Sequence, residues 1–164
     1  MRELALHILD LVQNSVEAGA SRVDLEIAED THADRLTIRV RDNGRGMKEE
    51  LRRQATDPFV TTRRTRKIGL GLPLIDMSTR HCDGRLNLVS TPGQGTSVEA
   101  VWRFSHLDRP PLGDMSATVR ALVAGNPELA LVYRHWRDGR EFILSTDEIA
   151  GMLGPVPLSI SSNR

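Results

Sequence analysis

The chain of 164 residues is short of several things. It has one cysteine, Cys82, so no disulfide can close within it, and a reducing cytoplasm is the expected compartment. Aromatic residues make up 4%, too few for the stacking platforms that grip single-stranded nucleic acid. No apolar run approaches the ~18 residues of a membrane span. The N-terminus has no basic start, apolar stretch and small-residue cleavage site, so no signal peptide is expected. Lys plus Arg number 22 and Asp plus Glu number 22, a net charge of zero that excludes a uniformly basic nucleic-acid binder. There is no internal repeat and no low-complexity tract. What remains, at 39% hydrophobic and 27% charged, is the composition of a soluble globular domain with its own core.

The neutrality is an average of unlike parts. Residues 1–30 hold two basic and seven acidic groups, a net of −5. Residues 41–67 hold nine basic and four acidic groups, a net of +5. Such runs are commonly solvated faces, but a basic run can also serve a local anion site.

Apolar spacing predicts a helix over residues 3–18, with Leu4, Ile8, Leu11, Val12 and Ser15 on one face, stopped by Gly19. Alternation predicts strands at 22–29 and 35–41, joined by a turn at 30–34. A short helix fits 48–54, and residues 55–68 have no clean period and read as a loop. A helix starting at 70–72 tolerates Pro73 in its first turn and runs to Cys82. Residues 85–90 and 96–104 read as a hairpin. A proline-rich linker follows at 106–113, then a helix at 116–124. Asp138-Gly139 between 129–136 and 141–144 signals a second hairpin. A last helix is expected from Ser145, with Glu148 completing a capping box.

Glycine pairs stand at three junctions: Gly44 and Gly46, Gly69 and Gly71, Gly93 and Gly95. Each alone is a turn; together they suggest backbone brought close to a ligand. Gly69 and Gly71 open a helix, where amides and the helix dipole favour phosphate, and the run Arg63-Arg64-Thr65-Arg66-Lys67 directly precedes it. Neither a P-loop nor a dinucleotide-binding glycine pattern is present. On the first helix Asp10 and Asn14 lie four apart on one face. They could serve a Mg²⁺–phosphate complex, Asp10 could activate a water or hydroxyl, or the pair could be an exposed polar face.

The order of these pieces carries more than any one of them. Asp10-Leu-Val-Gln-Asn14-Ser-Val-Glu-Ala-Gly-Ala20 is followed by Asp42-Asn-Gly-Arg-Gly-Met47 and Asp57-Pro-Phe-Val-Thr-Thr-Arg63. Lys67-Ile-Gly-Leu-Gly-Leu72 and Gly93-Gln-Gly-Thr96 complete the series. The set resembles the Bergerat, or GHKL, ATP-binding superfamily of gyrase, heat-shock chaperone ATPases, sensor histidine kinases and MutL. It covers about residues 3–104. The Asn14 and Asp42 segments are similar to MutL, and the segments from Lys67 onward to a histidine-kinase catalytic domain.

This resemblance implies an α/β fold, an α+β two-layer sandwich with a mixed sheet covered by helices on one face. Residues 1–104 would be the ATP-binding domain, with an ATP lid at about 47–68. Residues 105–164 would be a C-terminal extension of linker, helix, hairpin and short helix. ATP and Mg²⁺ are the implied cofactors. Asn14 would coordinate Mg²⁺, and Asp42 would accept the adenine amino group. Gly44 and Gly46 would let backbone pass the base, beside Met47. Phe59, Thr61, Thr62 and Arg63 would belong to the lid. Lys67, Gly69, Leu70, Gly71 and Leu72 would form the phosphate end, and Thr96 would support the adenine end.

Asp10 stands where hydrolysing members carry Glu and histidine kinases commonly carry Asn, so it is the candidate catalytic carboxylate, one methylene shorter. Only nine residues precede it, so dimerisation and phosphoacceptor helices are not expected here. A phosphoacceptor would therefore belong to a separate partner protein. The resemblance thus implies a module that hydrolyses ATP slowly or phosphorylates a partner in signalling, with ATP and a protein as partners and no nucleic acid. The alternatives are a non-catalytic ATP sensor and an anti-sigma-like serine kinase.

Overall fold

The computed structural model describes residues 3–57 and 71–147. Ten elements follow one another: α1 (Leu4–Glu17), β1 (Arg22–Asp30), β2 (Arg35–Asp42), α2 (Glu49–Gln54), α3 (Gly71–His81), β3 (Arg85–Thr91), β4 (Gly95–Arg103), α4 (Met115–Gly125), β5 (Ala130–Arg137) and β6 (Arg140–Ser145). Each expected helix and strand before residue 145 is present, with ends shifted by one or two residues. A helical turn begins at Thr146, and the remainder of the last expected helix lies outside the described residues.

The strands form one mixed sheet in the order β3-β4-β2-β1-β5-β6. β1 pairs antiparallel with β2 and parallel with β5; every other pairing is antiparallel. The period-2 alternation read in the sequence puts one set of residues on the helix side. Leu25, Val40 and Val98 stand in register there, as do Ile27, Ile38 and Ala100, all buried. The opposite face carries a charged ladder: Arg39 donates to Glu26 and to Glu99, each at 2.7 Å. These two cross-strand ion pairs hold three neighbouring strands in one register. They also raise the Arg39 pKa, chiefly through the hydrogen bond to Glu99.

α1 packs between α3 and α4 over this sheet. Its buried residues are Leu4, Ala5, His7, Ile8, Leu11, Val12 and Ser15, which include the whole face expected from the apolar spacing. Trp102 of β4 is buried against α3, where its indole N–H donates to Ser78 Oγ at 2.9 Å. That bond satisfies the polar end of the largest core side chain.

Both ends of α1 are completed from elsewhere in the chain. Its first amides find the linker: Leu4 N–H donates to the Pro111 carbonyl at 2.9 Å and Ala5 N–H to that of Leu112 at 2.8 Å. The proline-rich stretch is therefore an ordered strap over the helix start. At the other end the Arg45 guanidinium donates to the Glu17 carbonyl at 2.7 Å. The last turn of α1 has no basic residue of its own, and Arg45 supplies that cation from the loop after β2. The residues after 104 continue the main sheet through β5, beside β1.

Candidate functional site

Asp42 ends β2, and its carboxylate gathers three donors. Oδ2 accepts from the Ser15 hydroxyl of α1 at 2.7 Å. Oδ1 accepts from Gly44 N–H at 2.9 Å and from Thr96 N–H at 3.2 Å. The carboxylate is thus held between α1, the glycine turn and the start of β4. An ionised carboxylate has about four acceptor positions, so these bonds leave about one for a further donor.

Two glycines let this corner close. Gly95 lies so near the Asp42 carbonyl that a Cβ there would sit 2.0 Å from its oxygen. Gly46 has φ +70°, and its Cβ would sit 2.1 Å from the Thr91 carbonyl oxygen. Both are needed because the loop after β2 packs on the β3–β4 turn, and Gly93 N–H donates to the Arg45 carbonyl at 2.7 Å. Gly44 is buried against Ala18, at the end of α1.

The same corner contains two residues whose part the sequence reading missed. Ser15 was legible only as a member of the buried stripe of α1; its hydroxyl reaches across 27 positions of sequence to Asp42. Ser90 accepts from Met47 N–H at 2.7 Å, and its hydroxyl pairs with that of Thr96 at 2.8 Å. A chain of contacts therefore runs from Ser15 through Asp42, Thr96 and Ser90 to Met47. The signal for Ser90 was its place one residue before the Thr91-Pro92-Gly93 turn, in register with Thr96 across the hairpin.

Asp10 and Asn14 are half-buried on α1, one turn apart. Gly71, the first residue of α3, packs against Asp10: a Cβ there would lie 3.3 Å from Asp10 Cβ and 3.9 Å from its Oδ2. The structure thus brings Asp10 to the N-terminus of α3. Leu72 is 4% exposed and belongs to the core. Phe59, Thr61, Thr62, Arg63, Lys67, Gly69 and Leu70 lie outside the described residues, as does the second half of the expected lid, residues 58–68.

A sheet-backed corner at Asp42 and a carboxylate facing a helix start at Gly71 are joined by one helix, α1. The family described as histidine kinase-, DNA gyrase B- and HSP90-like ATPase matches residues 2–106. The chain belongs to this family of ATPases. A putative sensor protein of Shewanella frigidimarina is 32% identical over 104 residues, 62% of this chain and 16% of that protein. The sensor histidine kinase AruS of Pseudomonas aeruginosa is 30% identical over 160 residues, 90% of this chain and 16% of its own length. The chain thus spans about a sixth of the length of these two relatives.

Among solved structures, the Aquifex aeolicus MutL ATPase domain complexed with ADP is 22% identical. It aligns with a TM-score of 0.52 over 86% of this chain and 62% of its own. The N-terminal domain of a DNA repair protein aligns with a TM-score of 0.63 at 14% identity, over 88% of this chain and 53% of its own. These likenesses establish the GHKL-type α+β fold expected from the order of the motifs. Among the described residues no helix is long and apolar enough to cross a membrane.

Proposed function

We propose that this ATPase-family domain binds ATP with Mg²⁺ between α1, the Asp42 corner and the start of α3, and uses Asp10 to promote phosphoryl transfer to water or to a partner protein. The observation that carries the reading is the Asp42 carboxylate, fixed by three donors with about one acceptor position left. An exocyclic amino group such as that of adenine can fill it. A keto oxygen at the same place would face a carboxylate with no donor, so Asp42 would select adenine over guanine nucleotides.

The other end suits phosphate. Gly71 keeps side-chain bulk away from Asp10, and the amides that open α3 favour an anion. Asn14, one turn on from Asp10, offers a side-chain oxygen to Mg²⁺. Mg²⁺ would take its remaining ligands from water and from the nucleotide's phosphates. ATP supplies the transferable phosphoryl group. Asp10 would accept the proton of the attacking hydroxyl or water, while Ser15, Thr96 and Ser90 would keep the base end fixed. Kinship with sensor kinases supports transfer to a protein, and a cytoplasmic setting agrees with the single, buried cysteine.

The test is incubation of the full chain with γ-labelled ATP and Mg²⁺, alone and with cell lysate. The expected result is released phosphate or a labelled partner, lost in Asn14→Ala and in Asp10→Asn with the fold intact. Nucleotide binding with turnover at background in both wild type and Asp10→Asn would instead make the domain an ATP sensor without catalysis.

A further inference from the structure

Among the described residues, β6 leaves one edge of the sheet unpaired beside an apolar cleft, and neither belongs to the nucleotide site. β6 is the last strand of the sheet, and no described strand pairs with its outer side. Its side chains alternate between faces, and both faces show apolar groups: Phe142 is 57% exposed and Ile143 47%. Unpaired N–H and C=O groups on such an edge recruit another strand unless charge or cover protects them.

Beside Phe142 lies a cleft of about 550 Å³. Met115 and Val119 of α4 form one wall, and Tyr133 and Leu144 lie on the other side. The Phe142 ring stands edge-on to Tyr133, with centroids 6.1 Å apart. Three arginines, Arg120, Arg137 and Arg140, border the cleft against one carboxylate, Glu141, among the described residues. Arg137 is engaged by Glu29 at 3.0 Å, and His135 holds the other oxygen of Glu29 at 2.7 Å. No ion pair between described residues engages Arg120 or Arg140.

We infer that β6 and this cleft dock an extended acidic segment of a partner protein. The segment pairs with the free edge of β6, seats a large apolar side chain against Phe142, and brings flanking carboxylates to Arg120 and Arg140. Main-chain pairing supplies affinity and the alternate side chains supply choice, as in other strand-addition sites. A second copy of this chain offers Arg140 no carboxylate, because antiparallel pairing of β6 with β6 centred on Phe142 sets Arg140 opposite Leu144 and Phe142 opposite its own copy. This inference does not depend on the nucleotide reading.

The test uses the full chain, amide-resolved NMR and a short peptide of sequence acetyl-Ser-Glu-Thr-Leu-Thr-Glu-Ser-amide, which puts Glu, Leu and Glu on one face. The expected result is saturable shifts at residues 140–145 and at Arg120, with a dissociation constant below about 1 mM that weakens with salt. The same peptide with Lys for Glu should give no shifts. Phe142→Ser should weaken binding by roughly tenfold while the amide spectrum away from β6 stays that of the folded chain. Absence of shifts, or equal shifts with the lysine peptide, would overturn the inference. So would self-association through β6 without peptide, or cross-peaks from residues 148–164 to the Phe142 ring in the free chain.

Discussion

The Ser15 hydroxyl donates to Asp42 Oδ2 across 2.7 Å and joins the buried face of α1 to the end of β2. The bond sets where the carboxylate points, because the Gly44 and Thr96 amides hold only its other oxygen. A hydrogen bond to a charged acceptor is worth about 1.5–3 kcal/mol. Ser15→Ala should therefore weaken ATP binding by roughly tenfold to a hundredfold while the fold persists. Titration calorimetry with circular dichroism as the fold control measures this; unchanged affinity would show that Asp42 is held well enough without Ser15.

Gly46 carries a different load. Its φ of +70° disfavours any side chain, and a Cβ would sit 2.1 Å from the Thr91 carbonyl oxygen. Gly46→Ala should destabilise the domain by more than about 1 kcal/mol, because the loop after β2 must lift off the β3–β4 turn. Gly93→Ala meets nothing within 4 Å, so at its φ of +79° it bears the backbone term alone. Thermal unfolding of the two variants should show the larger loss at Gly46.

Tyr133 is the only tyrosine, so phenolate absorbance reports on it alone. Burial, with a smaller contribution from the Glu29 carboxylate, pushes its pKa from 10.0 up to about 12. The folded pKa lies above the unfolded one. The linked stability is therefore complete below pH 10 and is lost as pH rises through about 12. Absorbance should stay that of the phenol at pH 10.5 in buffer and become partly phenolate at that pH in denaturant. Phenolate in the folded chain at pH 10.5 would contradict the burial.

The acid side has its own marker. Asp34, in the turn between β1 and β2, accepts from the Ser105 hydroxyl and amide, each at 2.8 Å. These bonds, followed by Arg103, hold its pKa below 3.8. A depressed pKa gives stability that is present above the unfolded value and lost as pH falls through the folded one. Asp34→Asn should be less stable than wild type at pH 7, and the gap should close below pH 3.8. Denaturant unfolding at a series of pH values measures it.

Much of this fold is readable in the chain because its signals are local. The α1 stripe, the alternation in β1 and β2 and the Asp138-Gly139 turn each sit within a few residues. What joins them does not. That β5 lies parallel to β1 follows from a crossover no local pattern encodes. The linker at 106–113 reads as a spacer because its carbonyls, which complete the start of α1, leave no mark on sequence. At the site, Asp42, Thr96 and the glycines stand out through motif order. Ser15 and Ser90 do not, since a small hydroxyl residue in a core stripe or before a turn has many ordinary uses.

The most direct test is nucleotide binding by wild type and Asp42→Asn, measured by calorimetry with Mg²⁺ and either ATP or GTP. The amide replaces one acceptor oxygen by a donor while keeping the size of the side chain. Wild type should bind ATP saturably and GTP far more weakly, and Asp42→Asn should lose ATP binding while its circular dichroism stays that of the folded domain. Equal ATP affinity in the two proteins, or no ATP binding by wild type, would contradict the assignment of Asp42 as the group that reads the base.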